Sequence, residues 1–238
     1  MRIAMWSGPR NISTAMMRSW EHRADTAVID EPFYANYLTA TGLNHPGREE
    51  TLATQSADAS VVADMLAGPI PGGADVWYQK HMAHHHRPGM SLGWTQSVVS
   101  CFLIRSPEDM LLSLHDKTPF PSLEDTGLPQ QVELFDAVAS DEIPPVLDAR
   151  DVLEDPRSLL GALCDRLGLP FDEAMLSWPA GPRDSDGAWA PYWYDAVRAS
   201  TAFKPWRPKA GAVPDELRAV LAECMACYEH LHQHRIKP

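Results

Sequence analysis

A chain of 238 residues that is 45% apolar can bury one large core but is cramped for two full domains, so a single domain over residues 1–238 is expected. Its 32 acidic against 20 basic residues, a formal charge of -12, disfavour a nucleic-acid or anionic-membrane surface and require any anionic ligand to find a local basic pocket. The opening Met1-Arg2-Ile3-Ala4-Met5-Trp6 lacks the pattern of an export signal, no stretch approaches membrane-spanning length, and four cysteines are too few for a disulfide framework, so the reduced cytoplasm is the expected compartment.

Apolar segments alternate with segments of helical period, the pattern of an α/β fold whose mostly parallel sheet is flanked by helices. Arg2–Trp6 reads as a first buried strand, followed by a turn and a helix over Ser13–His22. Further short strands are predicted over Ala27–Ile29, Asp75–Gln79, Ser100–Ile104 and Pro145–Leu147, with helical character at Glu49–Ala67 and Pro107–His115. Asp155-Pro156-Arg157 opens another helix running to Leu167, because proline suits the first helical turn, and Gly168 ends it. The Pro-, Gly- and Asp-rich stretches at 116–129 and 179–191 read as surface loops suited to substrate recognition, and Asp215–His232 as a last helix packed on the outside.

The first chemical signal is the strand–loop–helix passage through Ser7-Gly8-Pro9-Arg10-Asn11-Ile12-Ser13-Thr14. Backbone N–H groups and a helix N-terminus converge on an anion in such a layout, Ser13 and Thr14 can add hydroxyl donors, and Arg10 can add a forked cation. The triphosphatase pattern GxxxxGK[ST] is absent: Ile12 stands where its second glycine would be and Ser13 where its lysine would be. This P-loop-like passage therefore argues against an ordinary ATPase or GTPase, and taken alone it is equally a strand-to-helix turn. The second signal is Cys101-Phe102-Leu103-Ile104-Arg105-Ser106-Pro107-Glu108-Asp109, continuing to Ser113. A buried strand here delivers Arg105 to its C-terminal end, where α/β sheets bind ligands, and a helix then carries Ser113 on its second turn.

The spacing from Arg105 through Pro107 and Asp109 to Ser113 resembles the 3'-phosphate-binding motif of the sulfotransferase superfamily, and Pro9-Arg10-Asn11-Ile12-Ser13-Thr14 is similar to the same family's 5'-phosphosulfate loop. Asp151-Val152-Leu153-Glu154-Asp155-Pro156 and its following helix are similar to a third family segment, so the resemblance covers most of residues 1–178. It implies the sulfotransferase fold, with 3'-phosphoadenosine 5'-phosphosulfate as co-substrate and a small-molecule hydroxyl or amine as acceptor. It further implies that Arg10, Ser13 and Thr14 hold the 5'-phosphosulfate within a loop completed by Gly8, Pro9, Asn11 and Ile12, and that Arg105 and Ser113 hold the 3'-phosphate. Two positions depart from the family pattern: Ile12 replaces the loop glycine, and Ala149 replaces an adenine-contacting tyrosine. Lys204, Arg207 and Lys209 do not reproduce the basic closing segment of cytosolic members.

A transferring sulfuryl group carries less negative charge than a phosphoryl group, so fixed cations and N–H groups can serve without a metal. For the base, Glu31 in Val28-Ile29-Asp30-Glu31-Pro32-Phe33 is the first choice, as the resemblance implies a glutamate near this place, while its neighbour Asp30 is equally a solvated turn residue. His81 competes, because Trp77-Tyr78-Gln79-Lys80-His81-Met82 loosely resembles the family's Lys-Thr-His stretch with the spacing off by one, and Lys80 can approach acceptor or donor. His84, His85 and His86 beside His81 read as a polar mouth for the acceptor rather than a metal site, since no nearby Asp, Glu or Cys completes a ligand set. Cys224 and Cys227 share a helix face with Leu221 and read as core. Trp189, Tyr192, Trp193, Tyr194 and Trp206 are divided between core packing and walls for an apolar or cationic acceptor. A P-loop kinase and a non-catalytic nucleotide-binding protein of the same fold are the competing readings, and nothing in the sequence bears on oligomeric state.

Overall fold

The computed structural model describes residues 1–116, 118–139 and 142–237. Five strands, β1 (Arg2–Ser7), β2 (Thr26–Asp30), β3 (Val76–Met82), β4 (Val99–Ile104) and β5 (Val146–Asp148), form one parallel sheet in the order β2-β3-β1-β4-β5. The helices are α1 (Ser13–Glu21), α2 (Tyr34–Thr41), α3 (Arg48–Thr54), α4 (Ala59–Ala67), α5 (Pro107–His115), α6 (Leu128–Val138), α7 (Ala149–Glu154), α8 (Pro156–Leu167), α9 (Ala190–Trp193), α10 (Asp195–Arg198) and α11 (Arg218–His232). Among the described residues no helix is long and apolar enough to cross a membrane.

Every central strand is buried on both faces, so its side chains divide by the period of two into two apolar layers. Ile3, Met5, Val76, Tyr78, Cys101 and Leu103 pack against Met16, Met17 and Trp20 of α1 and against the leucines of α8. Ala4, Trp6, Trp77, Phe102 and Ile104 pack against Trp94, Leu134, Phe135 and Leu231 on the other face. Helix α8 behaves as its sequence dictates: the Asp155 side chain accepts from the Ser158 N–H at 3.0 Å, Pro156 occupies the first turn, and Gly168 at φ 69 terminates it. The chain builds β2 and β3 on one side of β1 and then crosses to β4 and β5 on the other, and the crevice where ligands bind such sheets opens at the C-terminal ends of the strands flanking that switch.

Four expectations change. The helical stretch at 49–67 is two helices, α3 and α4, separated at 55–58, where Asp58 caps α4 by accepting from the Ser60 N–H at 2.8 Å. Strand β3 runs three residues past Gln79 and so carries Lys80, His81 and Met82. The stretch at 116–129, of which Lys117 lies outside the described residues, is not simply a surface loop: Thr126 and Leu128 are buried and α6 begins there. Its buried Gln131 donates to the Trp6 and Leu103 carbonyls at 3.2 and 3.1 Å, satisfying strand-end acceptors of β1 and β4. At 179–191, Trp189 is only 2% exposed and Ala190 is fully buried, because one large apolar ring outweighs the polar residues around it.

Strand periodicity also decides the place of His81. It projects into the second layer, stacked on Trp6 with ring centroids 4.4 Å apart and near Trp94 and Phe33 at 5.4 and 5.9 Å. Burial, aided by the Lys80 ammonium, pushes its pKa down to about 3. The native imidazole is therefore neutral, whereas the unfolded one takes up a proton below about pH 6.5, so stability is lost as pH falls from there toward the folded value. His81→Phe keeps the aromatic stack and removes that proton. Between about pH 7 and pH 5 the variant should lose about 2 kcal/mol less stability than the parent in urea titrations; equal losses would mean that His81 is protonated in the folded chain.

Candidate functional site

The loop after β1 is shaped by a close approach and by two unusual backbone conformations. A Cβ on Gly8 would collide with the Thr126 carbonyl oxygen, so only glycine lets the turn before α6 lie against the loop. Arg10 and Ile12 then adopt left-handed conformations with φ of 64 and 57, and Asn11 Nδ2 donates to the Leu103 carbonyl at 3.3 Å, tying the loop to β4. Ile12 thus makes the turn for which a glycine would be the unstrained choice, while its side chain packs on the α1 core layer. Helix α1 begins at Ser13 with no side-chain cap and no acidic residue in its first turn. Its positive end and first N–H groups are available to an anion.

Arg105, delivered by β4 as its position predicts, donates from Nη1 to the Arg10 carbonyl at 2.7 Å, and Arg10 Nε donates to Ser113 Oγ at 3.0 Å. Burial lowers the pKa of both guanidinium groups, aided at Arg10 by the charge of Arg105 and opposed at Arg105 by Asp109. Asp109 sits 3.7 Å from Arg105 but is held chiefly by Trp206 Nε1 at 3.3 Å and the Lys209 N–H at 3.1 Å. The 204–207 segment is thereby fastened beside the arginines, with the Arg150 guanidinium 4.3 Å from the centre of the Trp206 ring. Ala149, in place of a tyrosine, is fully buried.

A buried ionic cluster stands across the crevice. In the β2–β3 register Asp30 lies opposite Lys80, and Lys80 Nζ donates to Asp30 Oδ1 at 2.8 Å, to Glu31 Oε1, and to the Tyr194 hydroxyl at 2.9 Å. Tyr194 in turn donates to Asp30 Oδ2 at 2.7 Å and accepts from Trp189 Nε1 at 3.1 Å, while the Gly187 N–H reaches Asp30 Oδ2 at 3.2 Å. Burial pushes the Glu31 carboxyl up against the opposing pull of Lys80; burial also opposes the Lys80 charge, but Asp30 and Glu31 together hold that ammonium protonated. Asp30 is therefore no solvated turn residue: its side chain is 1% exposed, because the unit step from Ile29 to Asp30 turns it onto the Lys80 face of the sheet.

One cavity of about 760 Å3 brings together Pro9, Arg10, Asn11, Ile12, Ser13 and Thr14 with Glu31, Lys80, Arg105 and Ser113. Gly8 is not among the lining residues. His81 is not brought there, since the residue after Lys80 must face the other side of the strand; His84 and His85 line the wall and His86 does not. Tyr34, Tyr37, His45 and Asp125 also line it and escaped the sequence reading, although the i, i+3 pair Tyr34 and Tyr37 just after Glu31 was a signal that two rings share a helix face there. In the sequence Tyr194 is one aromatic among several, and only its distant partners Lys80 and Asp30 set it apart. Cys224 is buried in a separate apolar cluster with Met110, Leu111 and Leu114, and Cys227 packs against it. Among the described residues no three His, Cys, Asp or Glu side chains form a group that could hold a metal ion.

The sulfotransferase-domain family profile matches residues 1–235. Two curated Arabidopsis thaliana proteins, called branched-chain-amino-acid aminotransferase-like protein 1 and protein 2, are 36% and 34% identical to this chain over 234 residues, or 98% of it. The chain spans only 42% and 41% of their lengths. Among solved structures, the sulfotransferase domain of the Synechococcus PCC 7002 olefin synthase superposes with a TM-score of 0.54 at 19% identity, covering 94% of both chains. The sulfotransferase domain from the curacin biosynthetic pathway superposes with the same TM-score at 15% identity, covering 99% of this chain and 98% of the other, and both likenesses show the fold. With its parallel sheet, its phosphate-loop-like turn and a family match over nearly its whole length, the chain belongs to the sulfotransferase-domain family.

Proposed function

We propose that this chain transfers a sulfuryl group from 3'-phosphoadenosine 5'-phosphosulfate to a small acceptor. The observation that carries this is a single cavity joining the uncapped N-terminus of α1, the Arg10–Ser113–Arg105 cluster and the Glu31–Lys80 pair. In this assignment the α1 end, Arg10, Ser13 and Thr14 take the 5'-phosphosulfate, while Arg105 and Ser113 take the 3'-phosphate. The aminotransferase in the names of the plant relatives gives no activity to this chain, because the match occupies about two fifths of each of them.

An acceptor hydroxyl beside Glu31 forms a new O–S bond as the bond from sulfur to the 5'-phosphate oxygen breaks; the hydroxyl proton passes to Glu31 and the bisphosphate leaves. Burial suits Glu31 to this role, since it raises the carboxyl above its ordinary value against the pull of Lys80 and so makes the carboxylate a stronger base. All three Nζ protons of Lys80 are engaged by Asp30, Glu31 and Tyr194. Proton arrival on Glu31 weakens its hold on Lys80 and frees an N–H for the charge developing on the leaving oxygen, so base and electrophile act in sequence. Arg10 adds fixed charge at the transferring group, and a weakly charged sulfuryl group needs no divalent ion in addition.

The bisphosphate should bind the parent protein more tightly than AMP does, and Arg105→Ala should remove about 1.5–3 kcal/mol of that preference in calorimetric titrations; an undiminished preference would exclude Arg105 from the 3'-phosphate site. Glu31→Gln should leave bisphosphate affinity intact and lower turnover of a hydroxyl acceptor about 100-fold or more, and near-parental turnover would remove Glu31 as the base. Transfer should survive EDTA, whereas loss on chelation with recovery on adding magnesium would favour the kinase reading.

A further inference from the structure

The two ends of the cavity differ in character. Arg10 and Arg105 stand at one end, near Lys204 and Arg207 on the segment that Trp206 fastens to Asp109. Beyond Glu31 and Lys80, the described lining is largely aromatic and carries one carboxylate, Asp125. Tyr34 and Tyr37 each stack on His85 at 4.7 Å, and Tyr37 meets His84 edge-on at 5.3 Å. The Tyr34 hydroxyl is joined to His45 Nδ1 at 2.8 Å. Asp125 is oriented through Oδ2, which accepts from the Ser122 N–H and hydroxyl at 2.9 Å, and its field reaches Tyr37, His45 and His84.

The imidazoles at this end do not compete for that carboxylate. Burial pushes His84 down to about 4, His85 well below its ordinary value and His45 in the same direction, so these rings are neutral near pH 7. Lys80, whose charge reaches His84 and His85, is already engaged by Asp30 and Glu31. A neutral acceptor that expelled water would leave Asp125 unpaired, and an anionic one would meet it as a like charge. An organic cation meets aromatic faces and a carboxylate, both of which attract it.

The geometry points to a hydroxylated organic cation as the acceptor, with its hydroxyl at Glu31 and its cationic group among Tyr34, Tyr37 and Asp125. The fate of the hydroxyl rests on the sulfuryl-transfer reading, but recognition of the cation does not. Choline and its uncharged carbon isostere, 3,3-dimethylbutan-1-ol, share shape and hydroxyl and differ by one charge. In calorimetric titrations of the full chain without nucleotide, choline should bind at least about tenfold more tightly than the isostere. Asp125→Asn and Tyr37→Leu should each erase most of that preference. The inference is overturned if the isostere binds as well as choline, if choline shows no binding at millimolar concentration, or if Asp125→Asn keeps the preference. Because no nucleotide is present, loss of the sulfuryl-transfer reading would show separately, as failure of the bisphosphate to bind.

Discussion

A lysine ammonium buried near the C-terminal end of an interior strand of a parallel sheet is the constraint around which the rest of the crevice is arranged. Lys80 is 1% exposed, and a charge taken so far out of water is tolerated only with opposite charge and hydrogen bonds around it. The parallel register supplies Asp30 from the neighbouring strand, and Glu31 reaches back because the chain turns there at φ 42. Tyr194 and Trp189 complete the shell from a segment more than 100 residues away, which explains why a polar, Gly-containing stretch folds inward. Removing one partner from such a cluster costs about 3–5 kcal/mol by leaving an unpaired charge. The same arrangement gives the cavity a carboxylate raised by burial and an ammonium kept protonated.

The loop before α1 trades backbone comfort for electrostatics. Left-handed residues other than glycine cost on the order of 1–3 kcal/mol each, and two stand within three positions at Arg10 and Ile12. The strain is offset by bonds that pin the loop on both sides, from Asn11 to the Leu103 carbonyl and from Arg105 to the Arg10 carbonyl. What results is a helix end with no cap and no acidic neighbour, aimed at the same space as two arginines. In a chain of formal charge -12, positive potential is thus concentrated where an anion can use it.

Much of this was legible in one dimension because it is local. The strand–loop–helix passage at 2–22, the delivery of Arg105 to a strand end and the capped helix α8 each follow from short-range pattern, and each stands within a residue or two of its predicted place. The errors also have local causes. The pattern for β3 stops three residues short of the strand's end, and the alternation that separates Lys80 from His81, and leaves only one of the two facing the cavity, lies in those residues. Helix α6 is not among the predicted elements: only its first two residues fall in the Pro-rich stretch at 116–129, and its weak apolar pattern beyond that gives no sign that Gln131 is needed by the ends of β1 and β4.

By itself, then, the sequence determined the alternation of strand and helix, the strand-to-helix loop at 7–14 and the residues of the Arg105–Ser113 helix turn, since these depend on periodicities of two and 3.6 and on residues a few positions apart. Tertiary structure alone decided the partners of Lys80, the exclusion of His81, and the gathering of Tyr34, Tyr37, His85 and Asp125 around one cavity. Those relations join segments separated by tens to more than a hundred residues, and no local propensity records which distant side chain a buried charge or ring will find. Burial sets them, because a charge removed from water must be paired by whatever the fold places beside it.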